Sequence, residues 1–505
     1  MMNIFQGLRM RKRSVLSGLC FLSLLYAGVQ FYIQDDYSPL QLLSSVENEA
    51  SRLLRFISQP HVHCNDSLAT GNSSKWLICV DAEIGIPFLQ SDDQKLIVYS
   101  VGPKKDYSFE QIASVNLSTK LFVFCHDECP KDLMHVNPSK ATFYKTVIVP
   151  NDPADFARNS FDSQTLNTVI KTLHHNIIHI LKLDTFVEDV ESSEVLRFLI
   201  DDSFIQSVQE LHFVVKLDKL DEDFIYSWYR VLYALFTTAG FRLFHTSASD
   251  SLCLQDTIME SCTYYLSWIK KPPPHVFVMY PPAIDGSREN EEDRLLNYLH
   301  NTKSKDILFT RVLLKSVSFN RNPRAFDALS LDLSTTILKK SAQSCHIIIL
   351  RSTAFSISDK RPIEGCNAVS FVYSVKTDGS VLINAVSELS RVSRKNQDTN
   401  LLEIVKLSEK TIMFIDLHES WEVLGLLSAM ALPKHLDQVI VRGNIFPTNG
   451  RSIHSVLRNR YSELQRLQEF SLSLVKTDQM SSTDLKFSGT ESNLYILNFV
   501  KNYVL

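Results

Sequence analysis

The sequence predicts an α/β architecture, two doubly wound sheets in tandem behind an N-terminal transmembrane helix, and three observations predict it. Apolar runs of strand length alternate with helical patterns from Leu96 to Trp268. The order of those runs recurs, more loosely, between Cys345 and Phe470. Ahead of both lies Ser14 to Ile33, a 20-residue stretch without a charge.

The N-terminus is read first. Arg9, Arg11, Lys12 and Arg13 directly precede the uncharged stretch, which places residues 1–13 in the cytoplasm, residues 14–33 across the bilayer and the remainder in a lumen or outside. A cleavable signal peptide is the alternative, since Ala27 and Gly28 offer small residues near a cleavage point. The length favours an uncleaved anchor, because signal-peptide apolar cores run about 7–15 residues. A type II single-pass protein of the Golgi or ER, or of the cell surface, is the expectation. Three sequons fit it, at Asn65, Asn72 and Asn116. Cysteine usage fits loosely: Cys20 lies in the anchor and eight others remain, an even set for an oxidising compartment. Proximity pairs Cys64 with Cys79 and Cys253 with Cys262. Cys125 and Cys129 have a spacing seen in metal or redox sites, but no second pair completes a zinc set.

The bulk composition is that of a globular protein. With 505 residues, 45% apolar and 21% charged, the chain is long enough for two or three domains. A formal net charge of -4 gives no general footprint for nucleic acid, so the expected partners are the membrane and an unknown lumenal acceptor or protein.

Residues 34–63 read as a stem, with apolar positions at Leu40, Leu43, Val46, Leu53, Leu54 and Ile57 in a broadly helical pattern. The first domain, 64–271, follows. Leu96 to Val101 is a strand ending at Gly102, Phe109 to Ser114 is helical, and Leu121 to Cys125 is a strand followed by Asp127. This is a β-α-β unit, and in open α/β sheets ligands bind beyond the carboxyl ends of the strands. Glycine there admits close backbone approach, and an acid after the second strand can hold a ribose. Gly102 and Asp127 are therefore candidates for a nucleoside-containing cofactor, with a turn glycine and a helix cap as the plain alternatives. Tyr144 to Pro150 is a further strand, Thr165 to Leu173 a helix, and Ile177 to Leu183 a buried strand followed by Asp184. Glu191 to Leu199 is a helix, Val208 to Leu217 a strand, Phe224 to Thr238 a long helix closed by Gly240, and Phe241 to Thr246 the next strand.

Several of these strings, in this order, resemble the methyltransferase-like 24 family within the FkbM-type S-adenosylmethionine-dependent methyltransferases. They are Trp76-Leu-Ile-Cys79-Val-Asp81, Tyr99-Ser-Val-Gly102 with Ser108-Phe109, the Phe122–Asp127 strand end, Ile180-Leu-Lys-Leu-Asp184, Gly240-Phe-Arg-Leu-Phe-His245 and Tyr264-Tyr-Leu-Ser-Trp268. The resemblance spans roughly Cys64 to Lys271. It implies a Rossmann-like, class I methyltransferase-type domain that binds S-adenosylmethionine, with Gly102 against the cofactor, Asp127 on the ribose and Asp184 near the methyl group as the catalytic candidate. The chain departs from the family after Asp184, where Thr185 to Ser193 replaces a shorter acidic segment containing glycine, and at Pro103-Lys-Lys105. A catalytically silent relative that binds a partner or glycan therefore stands beside the enzyme reading.

Pro272 to Pro274 reads as a linker, and 275–505 as a second domain. Thr411 to Asp416, Glu419 to Leu424, Gln438 to Arg442 and Ser452 to Phe470 follow the order of Ile178 to Asp184, Glu191 to Leu196, Val208 to Val215 and Phe224 to Thr238. Val276 to Tyr280 is the candidate first strand of this copy, and Cys345 to Leu350 takes the place of Leu121 to Cys125. The copy is degenerate, since proline replaces the glycine turn and Arg351 the acid, with Asp416 alone retained. Finally, Asp221-Glu-Asp223 has the form of a glycosyltransferase metal motif, although a helix start favours acids in any case.

Overall fold

The computed structural model describes residues 38–70, 75–85, 95–102, 106–117, 119–125, 141–149, 163–184, 192–217, 221–249, 263–301, 345–352, 366–376, 380–385, 401, 405, 410–447, 452–479 and 494–502. The chain divides into Met1–Gln41 and Leu42–Leu505, and both sheets lie in the latter. The predicted anchor, 14–33, lies outside the described residues, among which no helix is long and apolar enough to cross a membrane.

Helix α1 (Val46–Ile57) occupies the predicted stem. Ser45 caps it by accepting from the Asn48 N–H, and acids in the first turn and Arg55 in the last complement the helix dipole. Leu53, Phe56 and Ile57 are buried in one cluster with Trp228, Tyr229 and Trp268, so α1 belongs to the core. β1 (Ser67–Thr70) and β2 (Trp76–Cys79) form an antiparallel hairpin, and Cys79 is disulfide-bonded to Cys64.

The predicted β-α-β unit is formed by β3 (Leu96–Val101), α2 (Ser108–Asn116) and β4 (Thr119–Cys125). Where one strand is expected over Tyr144–Pro150 there are two, β5 (Ala141–Lys145) in the large sheet and β6 (Val147–Val149), which pairs with β7 (Ser163–Thr165). An apolar run carries no mark of the point where it leaves one sheet for another. α3 (Leu166–Thr172), β8 (Ile178–Leu183), α4 (Ser192–Asp201), β9 (Val208–Lys216), α5 (Glu222–Thr237), β10 (Phe241–Ala248) and β11 (Thr263–Lys270) complete this half. The turn from α5 to β10 passes through Gly240 at φ 79°, a left-handed setting that suits glycine.

The first sheet has the order β10-β11-β9-β8-β3-β4-β5. Its parallel strands, counted along the chain, stand as 3-2-1-4-5, the doubly wound order whose direction reverses between β3 and β8. β11 and β10 extend it as an antiparallel edge pair. Both faces are covered, which is why the central strands read as nearly continuous apolar runs. Tyr99, Leu181 and Phe213 pack towards α1 and α5, and Val98, Ile180 and Val214 towards Phe109 and Trp76.

The second half comprises α6 (Arg288–His300), β12 (Cys345–Arg351), β13 (Cys366–Val375), β14 (Val381–Ala385), β15 (Lys410–His418), α7 (Glu422–Ala429), β16 (Gln438–Asn444), α8 (Ile453–Glu469), β17 (Leu472–Gln479) and β18 (Leu494–Lys501). Its order, β14-β13-β12-β15-β16-β18-β17, matches the first sheet position for position. The outermost pair differs, since β13 and β14 run antiparallel whereas β4 and β5 run parallel. Two sequence expectations are corrected here. Val276–Tyr280 is not a strand, and β12 occupies the central position of β3 rather than that of β4. Both runs are apolar enough for a strand, and only pairing partners decide whether and where one forms.

The segment after Pro272 is no open tether. Arg466 Nε in α8 donates to the Pro274 carbonyl at 2.9 Å, the Met279 N–H to the His61 carbonyl at 2.7 Å, and the Tyr280 N–H to Ser462 Oγ at 3.0 Å. The Tyr280 ring meets Phe236 of α5 and Tyr461 of α8 edge-on, with centroids 5.0 and 5.3 Å away.

Candidate functional site

Three strand ends converge where the first sheet's order reverses. Gly102 follows β3 with φ 62°, and its N–H donates to the Phe124 carbonyl near the end of β4 at 2.9 Å. Asp184 follows β8, and its N–H donates to the Val101 carbonyl at 3.1 Å. Gly102 and Asp184 are thus brought together at neighbouring strand ends, the place where open α/β sheets bind ligands. Asp127 lies outside the described residues, as do Lys104, Lys105 and the segment following Asp184.

Beneath this crevice runs a row of polar side chains that sequence reasoning missed. The register sets Ser100, Lys182, His212 and Ser267 side by side across β3, β8, β9 and β11. All four are buried, together with Glu110 of α2 and Glu210 of β9. Lys182 Nζ lies 2.9 Å from Glu110 Oε1 and 3.4 Å from Asp184 Oδ2, and Ser100 Oγ donates to the same Glu110 oxygen at 2.5 Å. Burial alone pulls the Lys182 ammonium down, but the Glu110 and Asp184 carboxylates outweigh it and hold its pKa above the usual lysine value. Trp76 and Phe109 place their rings 5.9 and 5.2 Å from Nζ.

At the other end of the row burial favours the uncharged forms. His212 Nδ1 is 2.9 Å from Ser267 Oγ, and its Nε2 is 3.0 Å from Glu210 Oε1, which also accepts from the Cys79 N–H at 3.1 Å. Burial, aided by the nearby Lys182 charge, lowers the imidazole to about 3. Burial raises the Glu210 carboxyl well above its ordinary range against the opposing Cys79 N–H. The available signal was a polar residue at every second position of an apolar strand, as in Glu210 and His212 of β9.

The remaining candidates resolve as follows. Cys64 and Cys79 are joined, whereas Cys253 and Cys262 lie outside the described residues. Cys125 is disulfide-bonded and so offers no free thiolate to a metal, and among the described residues no cluster of metal-ligating side chains occurs. Asp221 is the N-cap of α5 and accepts from the Phe224 N–H at 3.3 Å, the plain alternative to a metal motif. Asn65 and Asn116 are exposed, Asn65 Nδ2 donating to Asp81 at 3.1 Å, and Asn72 lies outside the described residues. In the second sheet Asp416 pairs with Arg442, Oδ2 to Nη1 at 3.2 Å. A separate groove of about 590 Å³ between α1 and the β10–β11 edge is lined by Glu47, Ser51, Leu54, Arg55, Thr246 and Tyr264 and holds none of the predicted cofactor or catalytic residues.

No protein-family model and no curated protein matches this chain. Among solved structures, the human methyltransferase 10 domain containing protein aligns with 36% of this chain and 74% of its own, at 9% identity and a TM-score of 0.23. The METTL16 MTase domain aligns with 35% of this chain and 61% of its own, at 10% identity and a TM-score of 0.24. Haemonchus contortus phospholethanolamine N-methyltransferase 2, in complex with phosphomonomethylethanolamine and S-adenosylhomocysteine, aligns with 82% of this chain and 96% of its own, at 9% identity and a TM-score of 0.22. Similarities of this size carry neither an activity nor a ligand to this chain.

Proposed function

We propose that this chain is a divergent S-adenosylmethionine-dependent methyltransferase-like protein of the secretory pathway, held as a type II membrane protein by residues 14–33. The observation that carries the reading is the meeting of Gly102 and Asp184 at the reversal point of a 3-2-1-4-5 sheet. The ordered motifs between Cys64 and Lys271 support it. Gly102, with no side chain and a left-handed backbone, lets the cofactor approach the end of β3. Asp127 would hold the ribose hydroxyls, and Asp184 stands where the reacting group and acceptor would meet. S-adenosylmethionine, when bound, supplies the methyl group from its sulfonium, so the protein's part is binding and alignment. The second sheet is read as a degenerate copy with a structural or partner-binding role, because Asp416 is tied to Arg442 and β12 ends in arginine.

A second reading, a catalytically silent relative that binds a partner or glycan, is favoured by one contact. Asp184 Oδ2 already faces the buried Lys182 ammonium. Calorimetric titration of S-adenosylmethionine and S-adenosylhomocysteine into the full-length protein, with Asp127→Ala and Gly102→Val as controls, separates the two. Saturable binding lost in both variants supports the enzyme-like reading. A folded wild-type protein that binds neither compound leaves the silent one.

A further inference from the structure

Lys182 is a lysine without exposed surface, one position short of the strand end that leads into Asp184. Removing so compact a charge from water is costly, and a buried ion pair rarely stabilises a fold more than well-packed apolar residues do. Its geometry serves orientation instead. Glu110 stands in the first turn of α2, with Oε1 held by Ser100 Oγ, and the Lys182 backbone is fixed by pairing on both sides of β8. The ammonium between them reaches Glu110 at 2.9 Å and Asp184 at 3.4 Å, beside the rings of Trp76 and Phe109. An aspartate at a strand end is thereby tied to three secondary-structure elements.

We propose that Lys182, anchored by Glu110 and Ser100, is a positioning residue that fixes the Asp184 carboxylate at the mouth of the crevice for contact with the bound ligand. The inference rests on the reading of that crevice as the S-adenosylmethionine site.

The test is a cycle of calorimetric titrations of the full-length protein with S-adenosylhomocysteine, each variant accompanied by a thermal melt. Lys182→Met alone strands the Glu110 charge, so the informative variant is Lys182→Met with Glu110→Gln, which keeps an amide oxygen to accept from Ser100. Affinity should fall about tenfold in the native background and by less than about twofold in Asp184→Asn, because a residue acting through Asp184 has nothing to position once that carboxylate is gone. Ser100→Ala, which leaves both charges in place, is the milder probe and should weaken binding by about threefold. Equal losses in the two backgrounds, or unchanged affinity in folded variants, overturn the positioning role alone. Absence of binding by the wild-type protein overturns the reading of the crevice and this inference with it.

Discussion

Nε2 of His212 lies 3.0 Å from Oε1 of Glu210, and neither side chain is exposed. Burial keeps the imidazole neutral down to about pH 3 and keeps the carboxyl protonated well above 4.5. Two ionisable groups therefore sit in contact inside the sheet's cover, both pushed by burial towards their uncharged forms.

Their effects on stability have opposite slopes. Below pH 6.5 an unfolded chain protonates His212 while the folded chain refuses the proton until about pH 3, so stability falls as pH drops through that window. Above pH 4.5 an unfolded chain releases the Glu210 proton that the folded chain retains, so stability falls as pH rises. Each slope reaches about 1.4 kcal/mol per pH unit, and the two cancel where the windows overlap. Glu210→Gln should therefore gain stability relative to wild type as pH rises above 4.5 and leave the acid limb in place. Urea denaturation at intervals from about pH 3 to 9 measures the difference. A variant whose alkaline limb is as steep as the wild type's would show that Glu210 is not held protonated.

A second pH effect belongs to helix α8 of the second half, where Glu463 lies beside Arg466 and against Gly425 of α7. Burial raises the Glu463 carboxyl of α8 from 4.5 to about 7, with Arg466 pulling it down only in part. The folded chain keeps this proton while the unfolded chain releases it, so stability is lost as pH rises from 4.5 through 7. Glu463→Gln should gain at most about 3 kcal/mol at pH 8 and almost nothing at pH 4.5. Paired melts at the two pH values test it, and an equal shift at both would refute a titrating Glu463.

The Cys64–Cys79 disulfide closes a loop of 15 residues and holds β2 over the buried row. Its loss should cost about 3 kcal/mol, chiefly by releasing the unfolded chain. Trp76, buried on that strand, should then shift its fluorescence to the red at lower denaturant. Comparison of Cys64→Ser with the oxidised protein gives the value. Unchanged unfolding midpoints would mean that the hairpin is held by its packing alone.

Much of the first sheet was legible in the chain. Leu96–Val101 has the same bounds in sequence and structure because a largely apolar run of strand-favouring residues meets Gly102, whose left-handed backbone ends it. Cys64 and Cys79 could be paired on proximity, and Gly102 read as a special backbone position. Asp127 and the anchor lie outside the described residues. The polar row escaped because Ser100, Lys182 and His212 are far apart in sequence, each looking like one interruption of an apolar strand.

The sequence by itself determined the alternation of strands and helices, since period, branching and capping act over a few residues and are written locally. Tertiary structure alone decided that β12 stands at the centre of its sheet, that Val276–Tyr280 joins no sheet, and that Lys182 faces both Glu110 and Asp184. Strand neighbours are chosen by crossovers and by register, where a slip of one residue turns every side chain to the opposite face. That choice depends on contacts across the whole fold, which no local pattern contains.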